Sequence, residues 1–175
     1  LKDESKKLEN LYYTGFSTVW FISLGVALPV MLWREDIMAL LYTDTNREAM
    51  TTLGILMGAF FVKATTFVSG TLLTAYGRLR EMNILMAATV VLNVVLNFIL
   101  IHSNGIIGAA IATLVTHVVI AGGFIVLCHR HGLVPVVTRE YVQDMQVFIA
   151  FVLIAVLVYR VWPFVLWYYN FGLCL

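Results

Sequence analysis

The chain has 175 residues, of which 61% are hydrophobic and only 12% charged, and its mean hydropathy is +0.92. Water-soluble domains are roughly half apolar and about a quarter charged, so the composition excludes a soluble globular domain and predicts an integral membrane protein. The net charge of +1 gives no reason to expect a nucleic-acid partner. Cys128 and Cys174 form neither a disulfide framework nor a metal-ligand spacing, and we expect no metal and no cofactor.

Five apolar stretches are long enough to cross a bilayer, because roughly 20 helical residues span a hydrocarbon core of about 30 Å. None shows the two-residue alternation of a membrane barrel, so helices are expected. The prediction is an all-α, polytopic membrane helix bundle. The five stretches run from Phe16 to Trp33, Ala49 to Tyr76, Met82 to Ile101, Gly105 to Cys128 and Gln146 to Tyr169.

The segments between the spans are short and polar. Residues 1–15 form a charged segment on the cytoplasmic side, residues 34–42 form an amphipathic helix at the membrane interface, and Asp44 or Thr45 caps the second span. The four spans between residues 16 and 130 then form one bundle, followed by a cytoplasmic loop (131–145) and the fifth helix with its tail (146–175). Because Leu1 opens a charged stretch and is not Met, we expect the chain to be part of a longer protein.

The basic residues predict the orientation. Seven of the eleven Lys and Arg residues fall on the side of the N-terminal segment, whereas only Arg34 and Arg47 fall on the other. The positive-inside rule therefore places the N-terminal segment in the cytoplasm. Arg160 lies in the fifth span close to Trp and Tyr residues, where it is expected to reach the outer surface.

Lys63 is the main candidate site residue, because it lies near the middle of the second span and intramembrane charge is costly. Thr66, Gly70 and Thr74 follow it at helical spacing. Lys63 either faces a hydrated cavity, where its ammonium binds an anionic substrate, or it is a structural lysine held by backbone carbonyls or another helix. No Asp or Glu lies in the five spans, so a cation-coupling carboxylate would have to come from elsewhere.

Three further polar residues are candidates for substrate contact. His117, at the centre of the fourth span, carries a proton, binds a sugar hydroxyl, or is a hydrogen-bonded core histidine. Asn93 and Asn97 lie four residues apart on one helix face. They bond to neighbouring helices or contact the substrate.

Small residues at four-residue spacing predict the faces on which helices pack closely. They are Gly54 and Gly58 in the second span, and Gly105, Gly108, Ala109 and Ala112 in the fourth.

The segment GTLLTAYGRLREMNILMAATVVLNVVLNFILIHSNGIIGAAIAT, residues 70–113, resembles the C-terminal part of polysaccharide-type flippases of the MATE-like (MOP) superfamily. The shared features are a small-residue helix end (Leu72 to Gly77), the paired asparagines and a glycine-rich turn (Leu100 to Thr113), in which His102 replaces a frequent Pro. Leu28 to Asp44 also resembles the preceding family segment. The likeness covers about residues 16–130, and beyond them only hydrophobicity matches.

The resemblance implies part of the second lobe of a two-lobed transporter, packed against the remaining helices of the same protein. It also implies multi-pass insertion in the bacterial inner membrane. Its expected substrate is an oligosaccharide repeat unit linked to undecaprenyl pyrophosphate, moved across that membrane for polysaccharide biosynthesis. The alternatives are a MATE-type cation-coupled multidrug exporter and a non-transporting scaffold subunit. An enzyme is not expected. A membrane transferase needs paired carboxylates, or His and Asp, at the membrane face, and the sequence offers no convincing set of this kind.

Overall fold

A computed structural model describes residues 2–42 and 46–133, together with the single positions Gln146, Ala150 and Ile154. The chain divides into two units, Leu1–Thr138 and Arg139–Leu175. All helices described below belong to the first unit. The predicted fifth span with Arg160, and nearly all of the 131–145 loop, lie outside the described residues.

The first helix, α1, runs from Lys2 to Leu32. Its apolar stretch extends over Asn10–Leu32, so it begins before the predicted start at Phe16. The reason is that Tyr12 and Tyr13 are 4% and 5% exposed and belong to the packed core. The charged N-terminal segment is thus the first part of α1.

The second helix, α2 (Arg34–Leu41), has eight residues. Leu40 and Leu41 at its end are exposed, as expected of a short helix at a membrane interface.

The third helix, α3 (Arg47–Ala75), begins at Asn46, whose side-chain oxygen accepts a hydrogen bond from the backbone N–H of Ala49 at 2.7 Å. The predicted cap at Asp44 or Thr45 is therefore wrong. Asp, Thr and Asn all cap helices well. Asp44, Thr45 and Asn46 are consecutive, so residue type alone does not show which of them is the cap.

A glycine in the left-handed region ends α3, directly after the predicted end of the second span at Tyr76. Gly77 has φ of 71°. Its N–H donates to the Thr74 carbonyl at 3.0 Å, and the N–H of Arg78 donates to the Leu73 carbonyl at 2.9 Å. This pair of bonds is the Schellman motif, which satisfies the last carbonyls of a helix and reverses the chain.

The fourth helix, α4 (Leu79–Arg130), folds back on itself. Gly105 has φ 55° and ψ −132° within it and divides it into a first limb (79–104) and a second limb (105–130). Asn93 of the first limb donates a hydrogen bond to Thr116 of the second at 3.0 Å. At the open end of this hairpin, Glu81 pairs with His131 at 2.8 Å. The limbs therefore run antiparallel, and they correspond to the predicted third and fourth spans.

The core of the described bundle centres on Ser69 of α3, which is 1% exposed. Its hydroxyl shares a 2.8 Å hydrogen bond with the Tyr12 hydroxyl of α1, and the Cys128 thiol donates to its carbonyl at 3.8 Å. Leu73, one turn further, is fully buried. Ser69 thus joins α1, α3 and the second limb of α4.

The outer face of the hairpin is apolar and exposed. Phe98 is 85% exposed, and Val90 and Val94 are each 62% exposed. A surface of this kind is unfavourable in water, but it suits contact with lipid or with other membrane helices. Three described helices, α1, α3 and α4, are long and apolar enough to cross a bilayer, so the fold is an all-α membrane bundle.

Candidate functional site

A cavity of about 500 Å³ lies between α3 and the two limbs of α4. α3 contributes residues at helical spacing, and both limbs of α4 complete the wall. The lining residues are Lys63, Thr66, Phe67, Gly70, Thr71, Thr74, Met82, Met86, His117, Ile120 and Phe124.

The cavity extends from the middle of the bundle to the open end of the hairpin. Lys63 lies two residues past the midpoint of Arg47–Ala75, which is residue 61, and His117 lies at the centre of the second limb. Thr74 and Met82 flank the turn between α3 and α4. At about 1.5 Å per residue, the eleven residues from Lys63 to Thr74 span about 16 Å, roughly half the hydrocarbon thickness. Lys63 and His117 therefore lie at the deep end of the cavity.

The side chain of Lys63 is exposed within the described bundle. Among the residues that the structure describes, its ammonium has neither a hydrogen-bond acceptor nor a carboxylate partner. A lysine ammonium offers three donors and no acceptor. The deep end of the cavity thus presents a positive charge with free donors.

The threonines of the cavity present acceptors. The hydroxyls of Thr66, Thr71 and Thr74 donate to backbone carbonyls of their own helix, at 2.7, 2.8 and 2.9 Å. A hydroxyl carries one proton and two lone pairs, so each of these oxygens still accepts a hydrogen bond. The wall therefore combines one cationic donor with a row of neutral acceptors.

Apolar and aromatic residues make up the rest of the wall. Phe67 is 72% exposed, whereas Phe124 is 5% exposed and lies 3.1 Å from the position that a Cβ on Gly70 would occupy. The absence of a side chain at Gly70 therefore lets α3 approach this ring.

Sequence reasoning missed Thr71 and the apolar members of the cavity wall. A signal was present, because Phe67 and Thr71 continue the spacing of Lys63, Thr66, Gly70 and Thr74, and Ile120 and Phe124 follow His117 at three and seven residues. Apolar residues in an apolar span carry no chemical contrast, however, and their role appears only once α3 and α4 are placed together.

Asn93 and Asn97 lie outside the cavity wall. Asn93 donates to Thr116, and Asn97 donates to the backbone carbonyl and the side-chain oxygen of Asn93 at 3.0 and 2.9 Å. Thr116 in turn donates to the Ala112 carbonyl at 2.7 Å. The structure thus brings Lys63, Thr66, Thr74 and His117 together, whereas the asparagines form a polar clasp between the two limbs.

The small residues that were expected to pack helices have different surroundings. A Cβ on Gly108 would overlap the Leu100 carbonyl, and one on Gly54 would lie 3.2 Å from the Arg34 guanidinium. At Gly58 the nearest atom, on Leu114, is 4.0 Å away. Ala112 is fully buried and Ala109 partly buried. Gly105 is different, since a Cβ there would meet nothing within 4 Å, and its role is to form the turn.

A family model described as MatE matches residues 2–99, which is 98 of the 175 residues. The matched region includes Lys63, Thr66, Thr74, Asn93 and Asn97, whereas His117 lies beyond it. Comparisons with curated proteins and with solved structures found no significant match. The match covers more than half of the chain, the described residues form an apolar helix bundle, and MatE proteins are transporters rather than enzymes. The chain therefore belongs to the MatE family of multi-pass membrane transporters in the MATE-like superfamily.

Proposed function

We propose that this protein moves a lipid-linked oligosaccharide with an anionic pyrophosphate head across the bacterial inner membrane. The observation that carries the proposal is the position of Lys63, deep in a cavity between helices and without a carboxylate partner among the described residues. A cationic donor in a low-dielectric site attracts an anion more strongly than it would in water, and phosphate oxygens accept charge-assisted hydrogen bonds from lysine.

The rest of the cavity wall fits the other parts of such a substrate. Sugar hydroxyls are donors, and the oxygens of Thr66, Thr71 and Thr74 accept. The cavity extends to the open end of the hairpin, which carries Arg78, Arg80 and Arg130. The positive-inside rule assigns that end to the cytoplasm, where a substrate assembled in the cytoplasm would enter. The undecaprenyl tail would stay in the surrounding bilayer.

The main alternative is export of hydrophobic cations. Phe67 and Phe124 in the cavity wall favour it, because aromatic faces attract cations. Lys63 opposes it, because a positive charge in the cavity wall repels a cationic substrate. A carboxylate is the usual group for binding a cation in a membrane cavity, and none lines this cavity among the described residues. We therefore rank the flippase first and the exporter second.

The test uses the complete transporter in a bacterial strain that lacks its own flippase. Lys63→Gln removes the charge while keeping a polar side chain of similar length, and Lys63→Arg is the matched variant that keeps the charge. Surface glycan and the amount of transporter in the membrane are measured together. We expect Lys63→Gln to abolish surface glycan at a normal protein level, and Lys63→Arg to retain part of it.

Two other outcomes would reject the role of Lys63, and a third would reject the proposed function itself. Normal glycan with Lys63→Gln would show that Lys63 is not in the transport site. A parallel fall of glycan and protein level would show that Lys63 is structural. Failure of the unmodified protein to restore glycan, together with efflux of a cationic dye that Lys63→Gln increases, would favour the exporter.

A further inference from the structure

A second groove lies between the two limbs of α4 and shares no lining residue with the substrate cavity. Its volume is about 410 Å³. Ala88 on the first limb and Gly123 on the second are small and leave space for the groove. A Cβ on Gly123 would overlap the Leu85 side chain, so the two limbs already pack as closely as they can at this point. The lining residues are Glu81, Ile84, Leu85, Ala88, Gly123, Val126, Leu127 and Arg130.

Polarity is distributed along this groove in one direction. Glu81 and Arg130 lie at the open end of the hairpin, and every lining residue beyond them is apolar or glycine. Ala88 lies seven residues from Glu81 on the first limb, and Gly123 lies seven residues from Arg130 on the second. Each separation corresponds to about 10 Å along the helix. The groove thus has a charged mouth and an apolar stretch about 10 Å long beyond it, in which Ile84 and Val126 are 60% and 55% exposed.

The charge at the mouth is positive. Glu81 already pairs with His131 at 2.8 Å. Arg130 interacts electrostatically with the same carboxylate but forms no ion pair among the described residues. Arg78 and Arg80 lie at the same end of the hairpin. Arg78 and Arg130 thus lie near one carboxylate that is already paired, and an anionic group is the complementary ligand.

We propose that this groove binds an anionic glycerophospholipid of the surrounding leaflet, with its phosphate at Arg130 and one acyl chain along Ile84, Ala88 and Val126. The match is one of polarity and depth, because a phospholipid places its charge at the interface and its chains in the hydrocarbon, as the groove does. Basic residues at a membrane surface each favour anionic lipid by about 1 kcal/mol. The site is independent of the transported substrate.

The experiment is native mass spectrometry of the complete transporter, purified in detergent and incubated with phosphatidylglycerol or with phosphatidylcholine of the same acyl chains. We expect retention of phosphatidylglycerol over phosphatidylcholine. Arg130→Gln should lower the phosphatidylglycerol-bound fraction about fivefold, the effect of one surface cation. Arg47→Gln is the matched control, since it removes the same charge at the opposite end of α3.

A second pair of variants tests the groove itself and leaves all charges in place. Val126→Trp fills the groove, whereas Val118→Trp places the same side chain on the same limb at a residue that is 51% exposed and outside the groove. We expect only Val126→Trp to displace the lipid. Equal binding of both lipids, or equal loss with both arginine variants, would overturn the proposal. So would an absence of retained lipid together with a lower folded yield of Val126→Trp, because another helix would then fill the groove.

Discussion

Gly108 lies three residues after the Gly105 turn, where the second limb of α4 meets the backbone of the first. Its Cα faces the Leu100 carbonyl, and a Cβ there would overlap that backbone oxygen. A backbone group cannot move aside as a flexible side chain can, so the limbs must separate to admit even a methyl group.

We expect Gly108→Ala to lower the free energy of unfolding by about 1–3 kcal/mol, the usual cost of overpacking. Gly108→Leu should also reduce the amount of folded protein. The control is Gly122→Ala on the same limb, where a Cβ meets nothing within 4 Å and the better helix propensity of Ala is slightly favourable. Thermal unfolding in detergent measures both. An unfolding temperature of Gly108→Ala equal to that of Gly122→Ala would contradict the predicted contact.

Thr116 is the residue through which Asn93 reaches the second limb. Thr116→Val keeps the shape of the side chain and removes the acceptor of the 3.0 Å hydrogen bond. We expect a loss of about 1 kcal/mol, typical of a hydrogen bond between membrane helices. Thr113→Val is the matched control, because the Thr113 hydroxyl donates only to the Ala109 carbonyl of its own limb. Similar unfolding curves for the two variants would show that the clasp contributes nothing to stability.

At the scale of the element, the α4 hairpin depends on the backbone of Gly105. A φ of 55° with ψ of −132° is a conformation that only glycine adopts without strain. We expect Gly105→Ala to cost about 1–3 kcal/mol although its Cβ would have free space. The measurement is unfolding in detergent, with Gly122→Ala again as control. Unchanged stability would mean that the turn has another conformation.

The elements were predictable to different degrees. The amphipathic pattern predicted α2, and Gly77 marked the end of α3, because both features depend on local sequence. The start of α1 was missed because a charged N-terminal segment gives no sign that Tyr12 bonds to Ser69 of α3 or that Tyr13 is buried beside it.

The candidate site was predictable in part. The intramembrane charge of Lys63 and the polar residues at helical spacing after it identified Lys63, Thr66 and Thr74. Phe124 and Met86 line the cavity only because α4 packs against α3, which the sequence alone does not show.

At the scale of the whole molecule, the orientation in the membrane is a prediction from charge alone. Arg78 and Asn104 lie at opposite ends of the first limb, so they must have opposite accessibility. We expect cysteines at positions 7, 78 and 139 to be protected from an impermeant thiol reagent in whole cells, and those at 47 and 104 to react. Cys128 and Cys174 are first replaced by Ala, although Cys128 is only 2% exposed. Labelling at 78 with protection at 47 would reverse the orientation.

The length of the α4 hairpin relates the molecule to the bilayer around it. Each limb has 26 residues, which at about 1.5 Å per residue is about 39 Å, compared with a hydrocarbon core of about 30 Å. Tilt absorbs such an excess. Because Asn93 with Thr116 and Glu81 with His131 join the limbs, the two must tilt together as one body. Membrane thickness would then set the inclination of the entire hairpin, and with it the angle at which the Lys63 cavity opens.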